Sequence, residues 1–373
     1  MTETTNTVVV GASAAGLAAA CCLKKNEVDC VLLEKSSQVG SAWRHHYDRL
    51  HLHTTKGLSE LPYQKWGADV ANYPPRLEVV KYLESYAERF DLQPRFGQTV
   101  QRIERSDGRW RTKTDEGEFL SDNVVVATGY TRKAHVPTWP GQEDYRGTIL
   151  HSSEYKNGDA FKGEPVLVIG FGNSACEIAI DLHERGAQPT IAVRGGVNIL
   201  PRDVLGIPIL GVGISLSFLP AKIADITAWP LIQATIGSLP KLGLEPLPYG
   251  PNVQIQKHGR IPLLDIGTVR LIKDGHLQVR RKISRFTKEG VLFEGADAPE
   301  SFAAVVLGTG YRPAVADFLP DADDVCDEQG VPLKSGYEVL PGLYFCGFFV
   351  SPTGMLREIG IEAKRIAASI KES

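Results

Sequence analysis

Several signals that would place this chain in other protein classes are missing from its 373 residues. The sequence has no basic block and a formal net charge of -3, so it indicates neither nucleic-acid binding nor an electrostatic membrane anchor. Its six cysteines form no CxxC pair and no zinc-ligand spacing, which argues against a flavin disulfide reductase and a zinc site. Unpaired thiols are typical of a reducing compartment, so we expect a cytoplasmic protein.

Long apolar runs are also missing. The N-terminus lacks the basic region and apolar core of a signal peptide, so we expect the mature protein to begin near Met1. The most apolar stretch, residues 204–244, is interrupted by prolines and charged residues, which disfavours a membrane-spanning helix. Charged residues make up 23% of the chain and hydrophobic residues 43%, as in globular proteins, and the length favours two domains.

Two segments repeat one pattern of apolar strand, glycine-rich turn, amphipathic helix, second apolar strand and charged residue. The first copy predicts a strand at 7–10, a helix at about 14–25 and a strand at 30–33 that ends at Glu34. The second copy predicts a strand at 166–169, a helix that ends near Arg185 and a strand at 190–193 that ends at Arg194. Short apolar strands around a helix are typical of a buried parallel sheet, so we predict an α/β fold with two Rossmann-like dinucleotide-binding domains.

The order of these segments predicts that the second domain is inserted into the first. A run that alternates apolar and polar residues like a β-meander follows the first copy at 100–129, and a similar run follows the second copy at 278–311. We therefore expect one domain from residues 1–157 and 281–373, and the other from residues 158–280 with an apolar insert at about 204–244. An interdomain cleft of this kind is a favoured ligand site.

The first glycine-rich turn reads Gly11-Ala12-Ser13-Ala14-Ala15-Gly16, which is GxGxxG with serine at the second glycine. Gly11 permits the tight turn, Gly16 lets the helix and strand pack closely, and the helix N-terminus offers N–H groups to a pyrophosphate. Glu34, 23 positions after Gly11, is placed to accept hydrogen bonds from ribose hydroxyls. The alternative is a surface glutamate at a strand end.

The second turn reads Gly170-Phe171-Gly172-Asn173-Ser174-Ala175, the GxGxxA variant. Arg194 stands where an acidic residue would otherwise meet the ribose, and a guanidinium suits a 2′-phosphate. This pattern favours NADPH over NADH. A surface arginine without a ligand is the alternative reading of Arg194.

The segment from Tyr145 to Tyr155 joins the two copies and resembles the FxGxxxHxxxF/Y signature of class B flavin-dependent monooxygenases, with tyrosine in place of the first phenylalanine. Its ending in Tyr155 resembles the N-hydroxylating and flavin-containing branch more than the Baeyer-Villiger branch. The likeness extends through nearly the whole chain and is closest to the YUCCA-type flavin monooxygenases. It includes Gly40-Ser41-Ala42-Trp43 and the motifs at 47–53, 82–87, 126–130, 200–202, 264–268 and 307–311.

The resemblance implies FAD at the first fold, NADPH at the second, and transfer of one oxygen atom from O2, through a flavin C4a-hydroperoxide, to a small apolar or aromatic substrate. That substrate would be a sulfide, an amine, an indole or an aromatic 2-oxo acid. The asparagine that flavin-containing monooxygenases place near the flavin is absent from the stretch 52–56, so we expect residues of this stretch to substitute for it. The candidate catalytic residues are His53, Thr54, Lys56 and His151. The candidate cofactor-binding residues are Gly11, Ser13, Ala14, Ala15, Gly16, Glu34, Lys35, Gly40, Trp43, Thr128, Gly129, Gly170, Gly172, Asn173, Ser174, Ala175, Arg194, Thr309, Gly310 and Gly347.

Some features depart from the family pattern or leave alternatives open. Gly308 replaces the usual alanine of the C-terminal ATGY motif, and the tail after Gly347 is longer than in the plant enzymes. Baeyer-Villiger oxidation of ketones and a non-catalytic dinucleotide-binding flavoprotein are the alternative functions. A metal site at His45, His46, His51 and His53 is disfavoured, because no carboxylate or thiolate lies at ligand spacing. The apolar insert suits a substrate channel, and equally a helical hairpin or a subunit contact in a homodimer.

Overall fold

Strands paired around the two glycine-rich turns form the centre of each folded unit. The computed structural model describes residues 2–215, 219–351 and 353–373. Up to the second turn, the strands are β1 (Thr2–Val10), β2 (Cys30–Leu33), β3 (Val100–Ser106), β4 (Arg109–Thr114), β5 (Glu118–Val126), β6 (Lys133–Ala134), β7 (Thr148–His151) and β8 (Pro165–Ile169), and the helices are α1 (Ala14–Lys25), α2 (Ser41–His45) and α3 (Arg76–Arg89).

The remaining elements continue this numbering. The strands are β9 (Gln188–Ala192), β10 (Ile199–Pro201), β11 (Asp203–Val204), β12 (Ile207–Pro208), β13 (Leu263–Asp265), β14 (Gln278–Arg280), β15 (Ile283–Phe286), β16 (Val291–Phe293), β17 (Ala304–Leu307), β18 (Tyr311–Arg312), β19 (Glu338–Leu340) and β20 (Leu343–Phe345). The helices are α4 (Asn173–Glu184), α5 (Ile209–Ser215), α6 (Ala221–Thr235), α7 (Pro251–His258), α8 (Thr268–Lys273) and α9 (Met355–Glu372).

The first sheet has the strand order β19-β20-β5-β1-β2, and the β3–β4 hairpin joins it through β5. Strand β1 lies parallel to both neighbours, with Val8 opposite Val31 on one side and Val124 on the other. These apolar strands are buried because α1 and α9 pack together against one face of the sheet. The predicted strand at 30–33 and helix at about 14–25 are confirmed at those bounds.

The second sheet is wholly parallel, with the order β14-β9-β8-β17-β7. Strands of the first sheet come from residues 2–126 and 338–345, so the second sheet lies between them in the chain, as an inserted unit does. The two-unit α/β fold is therefore confirmed.

The division of strands differs from the predicted boundaries at 157/158 and 280/281. These boundaries place β7 and β17 in the first unit, whereas both strands pair in the second sheet, where β17 lies between β7 and β8. The apolar run at 304–307 resembles the run at 124–127 in sequence, but strand pairing decides the sheet in which each one lies.

The apolar insert contains the β11–β12 hairpin, α5 and α6, and its residues 216–218 lie outside the described residues. Helix α6 contacts α7 and β10, and Ile226 and Trp229 of the same helix are exposed. None of the helices in the described ranges combines the length and the apolar character that crossing a membrane requires.

Candidate functional site

The first glycine-rich turn borders a cavity of about 240 Å³ whose lining includes Gly11, Ser13, Glu34, Lys35 and Thr128. Gly11 has φ +103°, and a Cβ there would lie 2.9 Å from the carbonyl oxygen of Ala127. A Cβ on Gly16 would lie 1.7 Å from the Gly11 carbonyl oxygen, so neither position accepts a side chain. The turn therefore brings backbone close to the cavity, as a dinucleotide cradle requires.

Glu34 is held at this cavity by the backbone. It is 7% exposed, and its two carboxylate oxygens accept hydrogen bonds from the N–H groups of Ala12 (2.6 Å) and Ser36 (2.9 Å). Each oxygen keeps a further lone pair. The carboxylate is therefore oriented and still able to accept hydrogen bonds from ribose hydroxyls.

The serine at the second glycine position does not strain the turn. Ser13 has φ −101° and ψ −163°, and the equivalent Gly172 has φ −92° and ψ 178°, both extended conformations open to any residue. Ala14, Ala15 and Gly16 form the buried first turn of α1 behind it. The substitution changes only how closely a phosphate can approach.

Thr128 offers an independent test of whether a polar ligand fits this cavity. Its hydroxyl oxygen is buried and has no hydrogen-bond partner in the described part of the chain. A buried polar atom without a partner is costly, and such atoms are normally satisfied by protein, water or ligand. The residues present therefore fit a dinucleotide that brings hydroxyl and phosphate oxygens to this point.

Gly40 and Gly347 approach the first turn from two sides. The N–H of Gly40 (φ +68°) donates to the carbonyl oxygen of Ala12 at 3.1 Å and precedes α2, which carries the half-buried Trp43. Gly347 has φ +86°, and a Cβ there would lie 2.8 Å from Cβ of Ala15. Both glycines thus form part of the close packing around the cradle.

The second turn is built in the same way, with one methyl group exchanged. Gly170 has φ +119°, and a Cβ there would lie 2.4 Å from the carbonyl oxygen of Gly308. A Cβ on Gly308 would lie 2.6 Å from Cβ of Ala175. In the first unit the corresponding residues are Gly16 on the helix and Ala127 at the strand end, so the alanine methyl group belongs to the strand. In the second unit the methyl group belongs to Ala175 on the helix, and the strand-end residue is Gly308. Glycine therefore replaces the alanine of the ATGY motif at position 308 because the methyl group of Ala175 occupies the space that an alanine there would need.

The mouth of the second turn is open. Built Cβ atoms at Gly172 and Gly310 meet no atom within 4 Å, and the same holds for Gly129 in the first unit. Asn173 Oδ1 accepts a hydrogen bond from Leu264 N–H at 3.0 Å, which ties the N-terminus of α4 to β13, and Ser174 follows in the same helical turn. The hydroxyl of Thr309 donates to the carbonyl oxygen of His135.

Arg194 lies just after β9 and is exposed. In the described part of the chain its guanidinium has no hydrogen bond or ion pair. Burial lowers the pKa of His135, and the nearby charges of Arg312 and Arg194 lower it further. Three positively charged or titratable groups therefore face one region beside the second turn, where a phosphate would be favoured.

Of the predicted catalytic residues, His53 lies where the two units meet, and Thr54 contacts other residues of the first unit. His53 is mostly buried, and its Nε2 lies 3.4 Å from Oε1 of Glu177 on α4. Burial, followed by the charges of Arg202, His51 and Arg49, lowers the pKa of His53 to about 4. The hydroxyl of Thr54 bonds to that of Ser59, and its methyl group borders Gly354 at the start of α9.

The other two predicted catalytic side chains are fully occupied within the protein. Lys56 Nζ donates to the carbonyl oxygens of residues 67, 68 and 70 at 2.7–3.1 Å, so all three of its hydrogens hold a loop. His151 accepts at Nδ1 from the N–H of Ser153 (3.1 Å) and donates at Nε2 to the carbonyl oxygen of Gly310 (3.0 Å). His151 thus ties β7 to the turn after β17, and neither ring nitrogen is left for a ligand.

The sequence reasoning did not single out the carboxylates of α4. Glu177, Asp181 and Glu184 lie at i, i+4 and i+7 on this helix. Tyr47 of the first unit donates to Glu177 at 2.6 Å, and Arg49 of the first unit makes two bonds of 2.9 Å to Glu184. Tyr155, between β7 and β8 of the second sheet, donates to Asp181 at 2.6 Å. Three acids at this spacing on a helix with a buried apolar face were the available signal.

Glu177 is the most deeply buried of these acids, with 1% of its side chain exposed. Burial raises its pKa to about 7, although the Tyr47 hydrogen bond and the charges of Arg49 and Arg202 act in the opposite direction. Desolvation therefore outweighs the favourable contacts.

A family model described as pyridine nucleotide-disulphide oxidoreductase matches residues 8–201. The chain is 38% identical over 349 residues to an indole-3-pyruvate monooxygenase, YUCCA1, of Oryza sativa subsp. japonica, covering 91% of this chain and 86% of that protein. A solved flavin-containing monooxygenase from Stenotrophomonas maltophilia is 23% identical with a TM-score of 0.76 and covers 99% of both chains. A steroid monooxygenase bound to NADP is 19% identical with a TM-score of 0.76, covering 99% of this chain and 86% of that chain.

The two structural likenesses show a shared fold, and the sequence relationship shows the family. The chain therefore belongs to the pyridine nucleotide-disulphide oxidoreductase family and, within it, to the YUCCA-type flavin-dependent monooxygenases.

Proposed function

We propose that the first cradle holds FAD, the second holds NADPH, and the enzyme uses both with O2 to oxygenate a small aromatic or apolar substrate. The observation that carries this assignment is the pair of cradles with opposite charges at their ends. Glu34 accepts hydrogen bonds beside the first, and Arg194 offers an unpaired guanidinium beside the second. A carboxylate suits free ribose hydroxyls, whereas a guanidinium suits a 2′-phosphate.

Two cofactors of this kind supply hydride transfer and oxygen activation when they are bound. The chain itself supplies alignment and exclusion of water. Glu177 and Glu184 of α4 bond to Tyr47 and Arg49 of the first unit, so they join the two units. We propose that His53, whose Nε2 lies 3.4 Å from Glu177 at this junction, and the nearby Thr54 contact a ligand between the units.

The names of the relatives support a proposal for the substrate class. Enzymes named indole-3-pyruvate monooxygenases align over most of this chain, so we propose an aromatic 2-oxo acid as the first substrate to test. Phenylpyruvate, indole, thioanisole and a cyclic ketone would distinguish decarboxylating oxidation from heteroatom oxygenation and from Baeyer-Villiger oxidation. Product formation must consume O2 and NADPH in equal amounts for the proposal to hold.

The nicotinamide assignment is tested by replacing Arg194 with alanine. A charge-assisted hydrogen bond contributes about 1.5–3 kcal/mol, so we expect KM for NADPH to rise roughly 10- to 150-fold and KM for NADH to stay unchanged. The matched control is Arg270→Ala, which removes the same charge from the exposed face of α8 in the same unit, with 85% of its side chain exposed. Equal KM values for the two nicotinamides, unchanged in Arg194→Ala, would remove the assignment.

The flavin assignment is tested on the purified protein. We expect a yellow protein whose extracted cofactor elutes as FAD on chromatography and whose absorbance bleaches when NADPH is added without oxygen. A colourless protein that takes up no flavin on reconstitution would end the proposal.

A further inference from the structure

Tyr47, Glu177 and His53 form a buried polar cluster between the two units. The hydroxyl of Tyr47 donates to Oε2 of Glu177 at 2.6 Å, and Oε1 of the same carboxyl lies 3.4 Å from His53 Nε2. In the described part of the chain, Glu177 Oε1 and both ring nitrogens of His53 have no hydrogen-bond partner. Buried polar atoms left in this way are costly, so the arrangement of protons in the cluster matters for its stability.

The geometry determines where a proton belongs. Tyr47 already donates to Oε2, so a proton held by Glu177 sits on Oε1, where it faces Nε2 of His53. That hydrogen bond satisfies both atoms and requires His53 to carry its own hydrogen on Nδ1. Nδ1–H is then a buried donor that no described residue satisfies.

We propose that Tyr47, Glu177 and His53 form a proton relay that delivers the proton consumed in each oxygenation. The inference rests on the proposed function, because oxygenation with NADPH takes up one proton for each O2 whose second oxygen leaves as water. The His53 Nδ1–H bond breaks and its proton joins that oxygen, while the Glu177 Oε1–H proton moves to Nε2. Glu177 is left as a carboxylate and His53 as the neutral Nε2–H tautomer, and one proton from water restores both by the reverse path.

Tyr47 is a positioning residue in this scheme. Its hydrogen bond occupies Oε2 and so directs the exchangeable proton of Glu177 toward His53. Tyr47 is 1% exposed, and burial raises the pKa of its hydroxyl well above the ordinary value, with the neighbouring Glu177 as the next cause. The hydroxyl therefore stays a donor over the working pH range and does not lose its own proton.

The electrostatic surroundings agree with this direction of transfer. Arg49, Arg202 and Asp181 are the charged groups that act on Glu177, and Arg202, His51 and Arg49 act on His53. Burial raises the pKa of Glu177 to about 7 and lowers the pKa of His53 to about 4. At neutral pH the histidine is therefore uncharged and the carboxyl can both hold and release a proton. As the pH rises through about 7, Glu177 loses the proton that the relay transfers.

The test replaces Glu177 with glutamine in the flavin-loaded enzyme. The amide oxygen still accepts from Tyr47 and the amide nitrogen still donates to His53, so the packing is retained while proton release is lost. We expect flavin content and anaerobic bleaching by NADPH to be unchanged. Coupled oxygenation should fall by about tenfold or more, with hydrogen peroxide formed in its place. The decline in coupling near pH 7 should disappear.

Glu294→Gln is the matched control, because it makes the same change at a carboxylate just after β16 that is 60% exposed and pairs with Lys282. We expect wild-type coupling and an unchanged pH profile in this variant. If Glu177→Gln does not fold, His53→Gln tests the same relay from its other end and should lose coupling in the same way. Unchanged coupling and an unchanged pH profile in the variant that folds would overturn the relay.

A second readout does not depend on turnover. In ¹⁵N spectra of the flavin-loaded enzyme with labelled histidine rings, the His53 signal is assigned by its loss in His53→Gln. We expect the Nδ1–H tautomer at pH 6, a change to Nε2–H with a midpoint near 7, and no such change in Glu177→Gln. An Nε2–H tautomer at pH 6 would contradict the scheme. Failure of the proposed function would appear separately, as wild-type protein that binds no flavin or is not bleached by NADPH.

Discussion

The space between positions 175 and 308 holds one methyl group, which belongs to Ala175. This makes the packing of the second cradle quantitatively testable. In Gly308→Ala the new Cβ would lie 2.6 Å from Cβ and 3.0 Å from Cα of Ala175, and 3.1 Å from the carbonyl oxygen of Ile169. Ala175 is fully buried on α4, so neither the helix nor β17 can give way without moving backbone. Overpacking of this kind costs about 1–3 kcal/mol.

One smaller effect modifies this figure. The backbone at Gly308 is not in the left-handed region, so an alanine there restricts the unfolded chain and returns about 0.4–1 kcal/mol. The net loss expected for Gly308→Ala is therefore about 1–2 kcal/mol. In the double variant Ala175→Gly/Gly308→Ala, the clash is removed and the cost of a glycine in the helix, about 0.5–1 kcal/mol, is offset at Gly308. We expect the double variant to be close to wild type in stability.

The assay is urea unfolding of the flavin-loaded protein without nicotinamide, with midpoints compared at a common slope. The interaction energy from the two single variants and the double variant should be about 1–3 kcal/mol in the stabilising direction. KM for NADPH should rise in Gly308→Ala and recover in the double variant, because the clash displaces the turn at Gly170. A Gly308→Ala protein as stable as wild type, or a double variant as unstable as the single, would refute the reasoning.

Two further outcomes follow from buried polar atoms. In Thr128→Val the unpaired hydroxyl is lost, so the apoprotein should be as stable as wild type or slightly more stable. Flavin should bind about 3- to 10-fold more weakly, as measured by equilibrium dialysis. An unchanged flavin affinity would remove Thr128 from the cradle. Burial lowers the pKa of His46 to about 4, with Lys156, Arg76 and His45 contributing, against about 6.5 in an unfolded chain. Because the folded pKa is depressed, stability present above pH 6.5 is lost as the pH falls toward 4, by about 3 kcal/mol for this residue. His46→Phe keeps a ring against Trp43 and Tyr47, so its urea midpoint should fall less between pH 7 and 4.5 than that of wild type, and an equal fall would contradict this account.

The local pattern of the sequence was sufficient for the two glycine-rich turns. The first copy has an apolar strand that ends at Gly11, a helix of small residues and a second apolar strand that ends at Glu34, and each of these signals lies within a few residues of the element it predicts. The bounds of α1 and β2 therefore agree with the structure. The charges expected beside each cradle, at Glu34 and Arg194, follow from the same short repeat.

Contacts between distant segments could not be predicted from the local sequence pattern. A strand is assigned to a sheet by its hydrogen-bonded neighbours, and the neighbours of β17 are 148–151 and 165–169, more than 130 residues away in the chain. Lys56 was placed by its position in a family motif, yet three carbonyls of one loop occupy its ammonium group.

The sequence alone thus determined the repeated unit, its turns and the family of the chain, because these depend on residue spacing along a strand or helix. Only the tertiary structure decided that Ala175 and Gly308 share one methyl-sized space, that His151 is satisfied within the protein, and that Glu177 meets Tyr47 and His53 away from water. The reason is physical: burial and hydrogen-bond partnership are properties of the packed chain, and a carboxyl with the same sequence neighbours would keep its ordinary pKa on an exposed face of the helix.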